Sequence, residues 1–188
     1  MESVLKETII ARLMLLPQLS DKYLAQDPSY VMDVALWLKQ TEQKLEPLRC
    51  PLVSTLASLR GLLEACDDGY QDDKVMNSSR SKRKGKRALA ASLLTRADTI
   101  LNAELQRIDS NFAEVNEKLA QLLALVFANQ PLPIVQNITS AYLNSIWKTL
   151  GEHQETKSMY LYLQARISAT DRRYLLSHLL INMIPETD

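Results

Sequence analysis

Apolar residues recur along this chain with helical rather than alternating spacing, and one stretch organises the rest. Leu101, Leu105, Ile108, Phe112, Val115, Leu119, Leu122 and Val126 follow one another at steps of four and three, so eight successive core positions of a heptad pattern are apolar. That rhythm predicts one long helix over about residues 88–127, whose stripe must be covered by other helices. With Leu105, Phe112, Leu119 and Val126 at a and the other four at d, the flanking positions carry no repeat of opposite charges to set a partner's register. Leu123 and Leu125 widen the stripe at its C-terminal end. Both features favour packing within the chain over a parallel homodimer, although a homo-oligomer stays open. Asp109, Ser110 and Asn111 are weak helix formers, yet the pattern passes through them in phase, so a continuous helix is expected.

The other segments are shorter and bounded by prolines. Val4, Leu5, Ile9, Leu13 and Leu16 predict a helix over 3–16 that Pro17 interrupts, followed by a short helical turn within 18–26. Asp27 before Pro28 is a start signal for a second helix, which runs to about Glu46 and buries Val31, Val34, Leu38 and Leu45 with Trp37 beside them. Pro51 opens a third, with Leu52, Leu56, Leu59, Leu63 and Cys66 on one side, closing near Gly69. After a turn at 129–133 with two prolines, a helix to about Leu150 carries Ile138, Tyr142, Leu143, Ile146 and Trp147, with Gly151 as its stop. The next spans 153–167, and its run of Met159, Tyr160, Leu161, Tyr162 and Leu163 is expected to be buried on most sides. Ser168 and Asp171 have capping-box spacing and open a last helix to about Ile184. The pattern therefore predicts an all-α fold: a helical bundle of six or seven helices with one long central helix, forming a single all-helical domain over 1–188.

Composition narrows the picture. A hydrophobic share of 46% is globular, and four glycines are too few for the turns of an all-β chain. Twenty-two basic residues balance twenty-two acidic ones, so any attraction to nucleic acid or to an anionic surface must be local. Cys50 and Cys66 are too few for a disulfide framework and suit a reducing compartment. The first apolar run is broken by Arg12 and Pro17 and lacks a signal-peptide layout, and no stretch is apolar enough to span a membrane. These features point to a cytoplasmic protein that does not enter the membrane.

One stretch departs from this character. Asp67, Asp68, Asp72 and Asp73 form an acidic patch, Asn77, Ser78, Ser79 and Ser81 a soft linker, and Arg80, Lys82, Arg83, Lys84, Lys86 and Arg87 a basic block of six cations in eight positions. With almost nothing apolar to bury, residues 67–87 are expected to form a flexible charged loop. The six cations are the strongest candidates for contacting nucleic acid or an acidic protein partner, unless they pair with the acidic patch beside them. No aromatic residue is interleaved among them, so stacking on single-strand bases is not indicated.

A second candidate lies in the last helix. Arg173 and His178, separated by four residues, resemble the arginine–histidine motif of the higher-eukaryote and prokaryote nucleotide-binding (HEPN) domains, with Tyr174 where that family usually has Asn or Asp. The resemblance implies an all-helical, metal-independent ribonuclease in which the arginine holds the scissile phosphate and the histidine exchanges a proton, the pair being completed across a dimer. The plainer reading places surface arginines and a histidine at the edge of a core made by Leu175, Leu176, Leu179 and Leu180. No glycine-rich phosphate loop, HExxH, CxxC or GxSxG is present, and Glu152, His153 and Glu155 miss the Glu-x-x-His spacing of helical metal sites, so neither a cofactor nor a metal is implied. The expectation that emerges is a non-enzymatic interaction or adaptor subunit of a cytoplasmic complex with a protein partner. The alternatives are a sequence-independent nucleic-acid-binding protein and a HEPN-like ribonuclease using Arg173 and His178.

Overall fold

The computed structural model describes residues 1–66, 82–128 and 137–183. The described residues contain helix and no strand. In chain order they form α1 (Glu2–Leu13), α2 (Leu16–Leu24), α3 (Tyr30–Leu45), a 3-10 turn (Glu46–Leu48), α4 (Val53–Ala65), α5 (Lys82–Phe127), α6 (Ser140–Glu152), α7 (Lys157–Arg166) and α8 (Ala169–Met183). The all-α architecture with one long helix is as expected, and α2 is the short turn anticipated after Pro17. Residues 67–81 and 129–136, which hold the acidic patch, the linker, Arg80 and the proline-containing turn, lie outside the described residues.

Contacts divide the chain into two compact units, one of residues 4–106 and one of residues 1–3 with 107–188. The sequence of α5 runs through both. Its 46 residues are unbroken at Asp109 and Ser110, which face outward, so the apolar phase prevails over weak local propensity. Of the eight expected seam residues seven are buried and Leu105 is half-buried, while Leu89, Ala90, Leu93, Leu94 and Ala97 carry the stripe back toward the start of the helix. Leu123 joins the seam as expected, but Leu125 is 61% exposed.

Within residues 4–106, α3 packs against α2 and α4. The turn between α1 and α2 falls at Met14 and Leu15 rather than at Pro17, because Pro17 occupies the first turn of α2, where its missing N–H costs nothing. A polar clasp ties α1 to α3. Arg12 Nε donates to Thr41 Oγ1 at 3.0 Å, its Nη2 donates to the Trp37 carbonyl at 3.1 Å, and Trp37 Nε1 donates back to the Arg12 carbonyl at 3.1 Å. The guanidinium also lies 5.6 Å from the Trp37 ring centroid, and its burial pushes the Arg12 pKa down.

In the second unit α6 packs against α7 and α8. Gly151 does not stop α6, which continues to Glu152. A Cβ at Gly151 would stand 2.7 Å from the Tyr160 ring, and that ring stacks 4.7 Å from Trp147, so the glycine is there for close approach. The Arg172 guanidinium covers Trp147 at 4.5 Å. The run from Met159 to Leu163 is not buried on most sides. Only Leu163 is buried, while Leu161 and Tyr162 face out, because a helix on the surface of a bundle covers one stripe only.

Asp171 is the polar centre of this unit. It is 3% exposed; its carboxylate accepts from the Ser3 N–H at 2.8 Å, the Ser3 hydroxyl at 2.6 Å, the Glu2 N–H at 3.0 Å and the Ser168 hydroxyl at 2.6 Å. The Asp171 N–H in turn donates to Ser168 Oγ at 3.1 Å, which completes half of the expected capping box. The carboxylate serves the first turn of α1 instead, where N–H groups have no partner within their own helix. Burial, the largest single influence, pushes this carboxyl up, but the hydrogen bonds from Ser168 and Ser3 outweigh it and hold its pKa at about 2.

Two outcomes follow from this packing. Leu119→Ala, at a fully buried seam position, should lower stability to urea by about 2–5 kcal/mol, and Leu125→Ala should change it by less than about 0.5 kcal/mol. Because the folded pKa of Asp171 lies below the ordinary 3.8, its contribution is fully present above about pH 4 and is lost as pH falls through about 2. Asp171→Asn should therefore cost on the order of 2 kcal/mol at neutral pH, and the gap between variant and wild type in urea unfolding should close as the pH is lowered across that window.

Candidate binding clefts at the start of the long helix

Most of the basic block is helical. The helix reaches back to Lys82, so Lys82, Arg83, Lys84, Lys86 and Arg87 belong to α5, six residues ahead of the expected start. Counting charge alone missed this, because Lys and Arg are good helix formers and the Leu89, Leu93 and Ala97 stripe anchors the turns that follow them. A helical scaffold gives the cations separate directions and separate tasks.

Arg87 turns inward. Its Nη1 donates to the Asp27 carbonyl at 2.8 Å and its Nη2 donates to the Tyr23 carbonyl at 2.6 Å. Tyr23 lies in the last turn of α2, where carbonyls lack partners within the helix and a cation is favourable. The same guanidinium lies 5.3 Å from the ring centroids of both Tyr23 and Tyr30, which are themselves 5.3 Å apart. Tyr30 is buried beneath them, and burial pushes its hydroxyl up to about 12. The connection from α2 to α3 is held further by Lys22, which pairs with Asp33 at 2.6 Å, so that the ammonium and the Ser29 hydroxyl keep the Asp33 carboxyl below its ordinary range. Gln26, with φ of 55°, closes α2 in the left-handed conformation usually given to glycine, and the Asp27 N–H reaches back to the Lys22 carbonyl at 3.0 Å. Such a backbone costs about 1 kcal/mol or more in a residue with a Cβ, and it shapes the wall of a cleft.

Two clefts flank Arg87. One, of about 410 Å³, is lined by Val31, Met32, Ala35 and Leu63 with Arg83 and Lys86. The other, of about 610 Å³, is lined by Tyr23, Leu24 and Gln26 with Arg83, Lys84 and Arg87. Arg83 and Arg87 border both, so the two clefts share a cationic ridge. Arg83 is exposed, and its guanidinium has no carboxylate partner among the described residues. The apolar side chains around the ridge are unusually open. Leu24 is 76% and Met32 69% exposed, with Leu36 one turn further along α3.

Of the six cations expected to make contacts, Arg83, Lys84 and Lys86 border the clefts, Arg87 forms part of their wall while clamping the end of α2, and Arg80 and the side chain of Lys82 lie outside the described residues. Sequence reasoning missed the apolar half of the site. Its signal was Met32 with Leu36, an i, i+4 apolar pair on the side of α3 away from Val34 and Leu38.

Arg173 and His178 sit on α8 five positions apart, which places them about 140° apart around the helix axis. Arg173 Nε donates to the Ala169 carbonyl of its own helix at 3.2 Å, and His178 is exposed with its ring 4.6 Å from Tyr174. Neither lines the clefts above or the small cleft of about 170 Å³ beside Phe112 and Val115. Among the described residues no three His, Cys, Asp or Glu side chains gather as a metal site, and no helix is long and apolar enough to cross a membrane.

Comparison with protein-family models finds no match to the chain, and searches of curated proteins and of solved structures likewise return nothing similar.

Arg87→Ala should cost about 2 kcal/mol in urea unfolding, since it strips two charge-assisted hydrogen bonds and a double ring contact from the end of α2. Arg87→Lys should fail to restore it, because one ammonium cannot reproduce the forked donation to two carbonyls.

Proposed function

We propose that the protein is a non-enzymatic assembly subunit of a cytoplasmic complex, working through the clefts at the start of α5. The observation that carries this reading is the exposure of Leu24 and Met32 around Arg83, an exposed cation with no carboxylate partner among the described residues. An aliphatic side chain left open in water forgoes about 1.5–3 kcal/mol of burial free energy, and a cluster of them beside charge is the composition of a contact surface. Among the described residues that line the clefts there is no histidine or cysteine, and Glu64 is the one carboxylate.

The reading is tested in extracts of the protein's own cells, fractionated by size under native conditions. The wild-type chain should elute within an assembly well above its own 21.3 kDa, and the Leu24→Asp/Met32→Asp variant should elute at the mass of the free chain with an unchanged circular dichroism spectrum. Elution of the wild type as free chain, or of the variant still within the assembly, overturns it.

A further inference from the structure

We infer that the paired clefts receive an acidic amphipathic segment of a partner protein, with one apolar anchor in each cleft and acidic side chains between them on Arg83. This inference rests on the assembly reading above and names the chemistry of the partner.

The order of chemistry along the surface carries it. One cleft offers an apolar lining of Val31, Met32 and Leu63, the other offers Leu24 and the edge of Tyr23, and cations stand at their shared border. A ligand that satisfies this order presents apolar, acidic and apolar groups in turn. A single helix supplies that with apolar anchors at i and i+7 and carboxylates at i+3 and i+4, which lie between them on the same face, a form of the helix-in-groove mode of recognition. Carboxylates there gain charge-assisted hydrogen bonds from the Arg83 guanidinium, whose planar fork suits them.

The same surface suits nucleic acid poorly. Phosphates would gain nothing from the open side chains of Leu24 and Met32. A base could not stack fully on Tyr23, since Arg87 and Tyr30 already lie against its ring. An acidic peptide uses both halves of the surface, which is why charge and apolar area together decide the class of partner.

The test uses the full chain and fluorescein-labelled peptides of about 15 residues, long enough for a helix of several turns. The designed peptide carries Leu or Phe at i and i+7 with Glu at i+3 and i+4 between them. Its controls are a scrambled peptide of identical composition, a Lys-for-Glu version and a labelled single-stranded oligonucleotide. Fluorescence anisotropy should show the patterned acidic peptide binding at least about tenfold more tightly than the scrambled one, with an affinity that falls as salt is raised. Arg83→Glu and Met32→Glu, both on exposed positions of helices, should each weaken it about tenfold or more while leaving the urea midpoint in place.

Equal binding of patterned and scrambled peptides, or displacement of the patterned peptide by the oligonucleotide, overturns the inference. A concentration-dependent rise in mass that Met32→Glu abolishes would assign the clefts to a second copy of this chain. Peptide binding that emerges only after Asp67, Asp68, Asp72 and Asp73 are changed to Ser would assign them to the chain's own acidic stretch. Either result also overturns it. If no acidic peptide binds while the Leu24→Asp/Met32→Asp variant still leaves the assembly, the partner class fails and the assembly reading stands.

Discussion

Everything in this structure depends on the need to cover one apolar stripe. From Leu89 to Val126 the α5 helix presents buried side chains at helical spacing, and alone in water such a stripe would expose a hydrophobic surface no helix can shield by itself. The other helices have the complementary problem. At 9 to 16 residues each, they are near or below the length at which an isolated helix persists in water. Stripe and short helices therefore stabilise one another, which is why Asp109 and Ser110, poor helix formers at the midpoint of α5, do not interrupt it.

Hydrophobic covering is non-directional, so something else must fix where each helix starts and stops. Two charged side chains do this with the same physics and opposite sign. In one unit the Asp171 carboxylate accepts the free N–H groups of Glu2 and Ser3 at the beginning of α1. In the other, the Arg87 guanidinium donates to the carbonyl of Tyr23 at the end of α2 and to that of Asp27 beyond it, each of which also accepts a long backbone hydrogen bond. The Asp171 carboxylate is buried and supplied with several donors, the condition under which burying an ionised group adds to stability instead of subtracting from it, whereas Arg87 is half-buried.

How much of this the sequence disclosed depends on the range of the interaction. The seam of α5 was legible because periodicity is a property of the chain itself: Leu101, Ile108, Val115 and Leu122 needed no neighbour to be recognised. The boundary at Lys82 was not, since a run of cations looks solvated whether it is loop or helix, and only the stripe that follows commits it. Ser168 and Asp171 were visible as a capping pair, but the groups that Asp171 serves lie more than 160 residues away in the chain, and no local pattern announces them. Gly151 was read as a stop because glycine ends helices often. Its reason lies in the Tyr160 ring above it, a contact that only packing reveals.

The basic block shows why a count of charges is a poor guide to a site. Arg83 and Arg87 are four residues apart on one helix, and as sequence they are interchangeable. Folding gives them different work: Arg87 is committed to two backbone carbonyls and two rings, whereas Arg83 stands open at the border of both clefts. A cation already bonded to its own protein has little to offer a ligand, so the attraction of the surface comes from fewer charges than the block contains. For the partner proposed above, selectivity would come from the aliphatic exposure beside those charges, since electrostatic attraction alone discriminates weakly among anions and burying Leu24 and Met32 would require matching apolar groups.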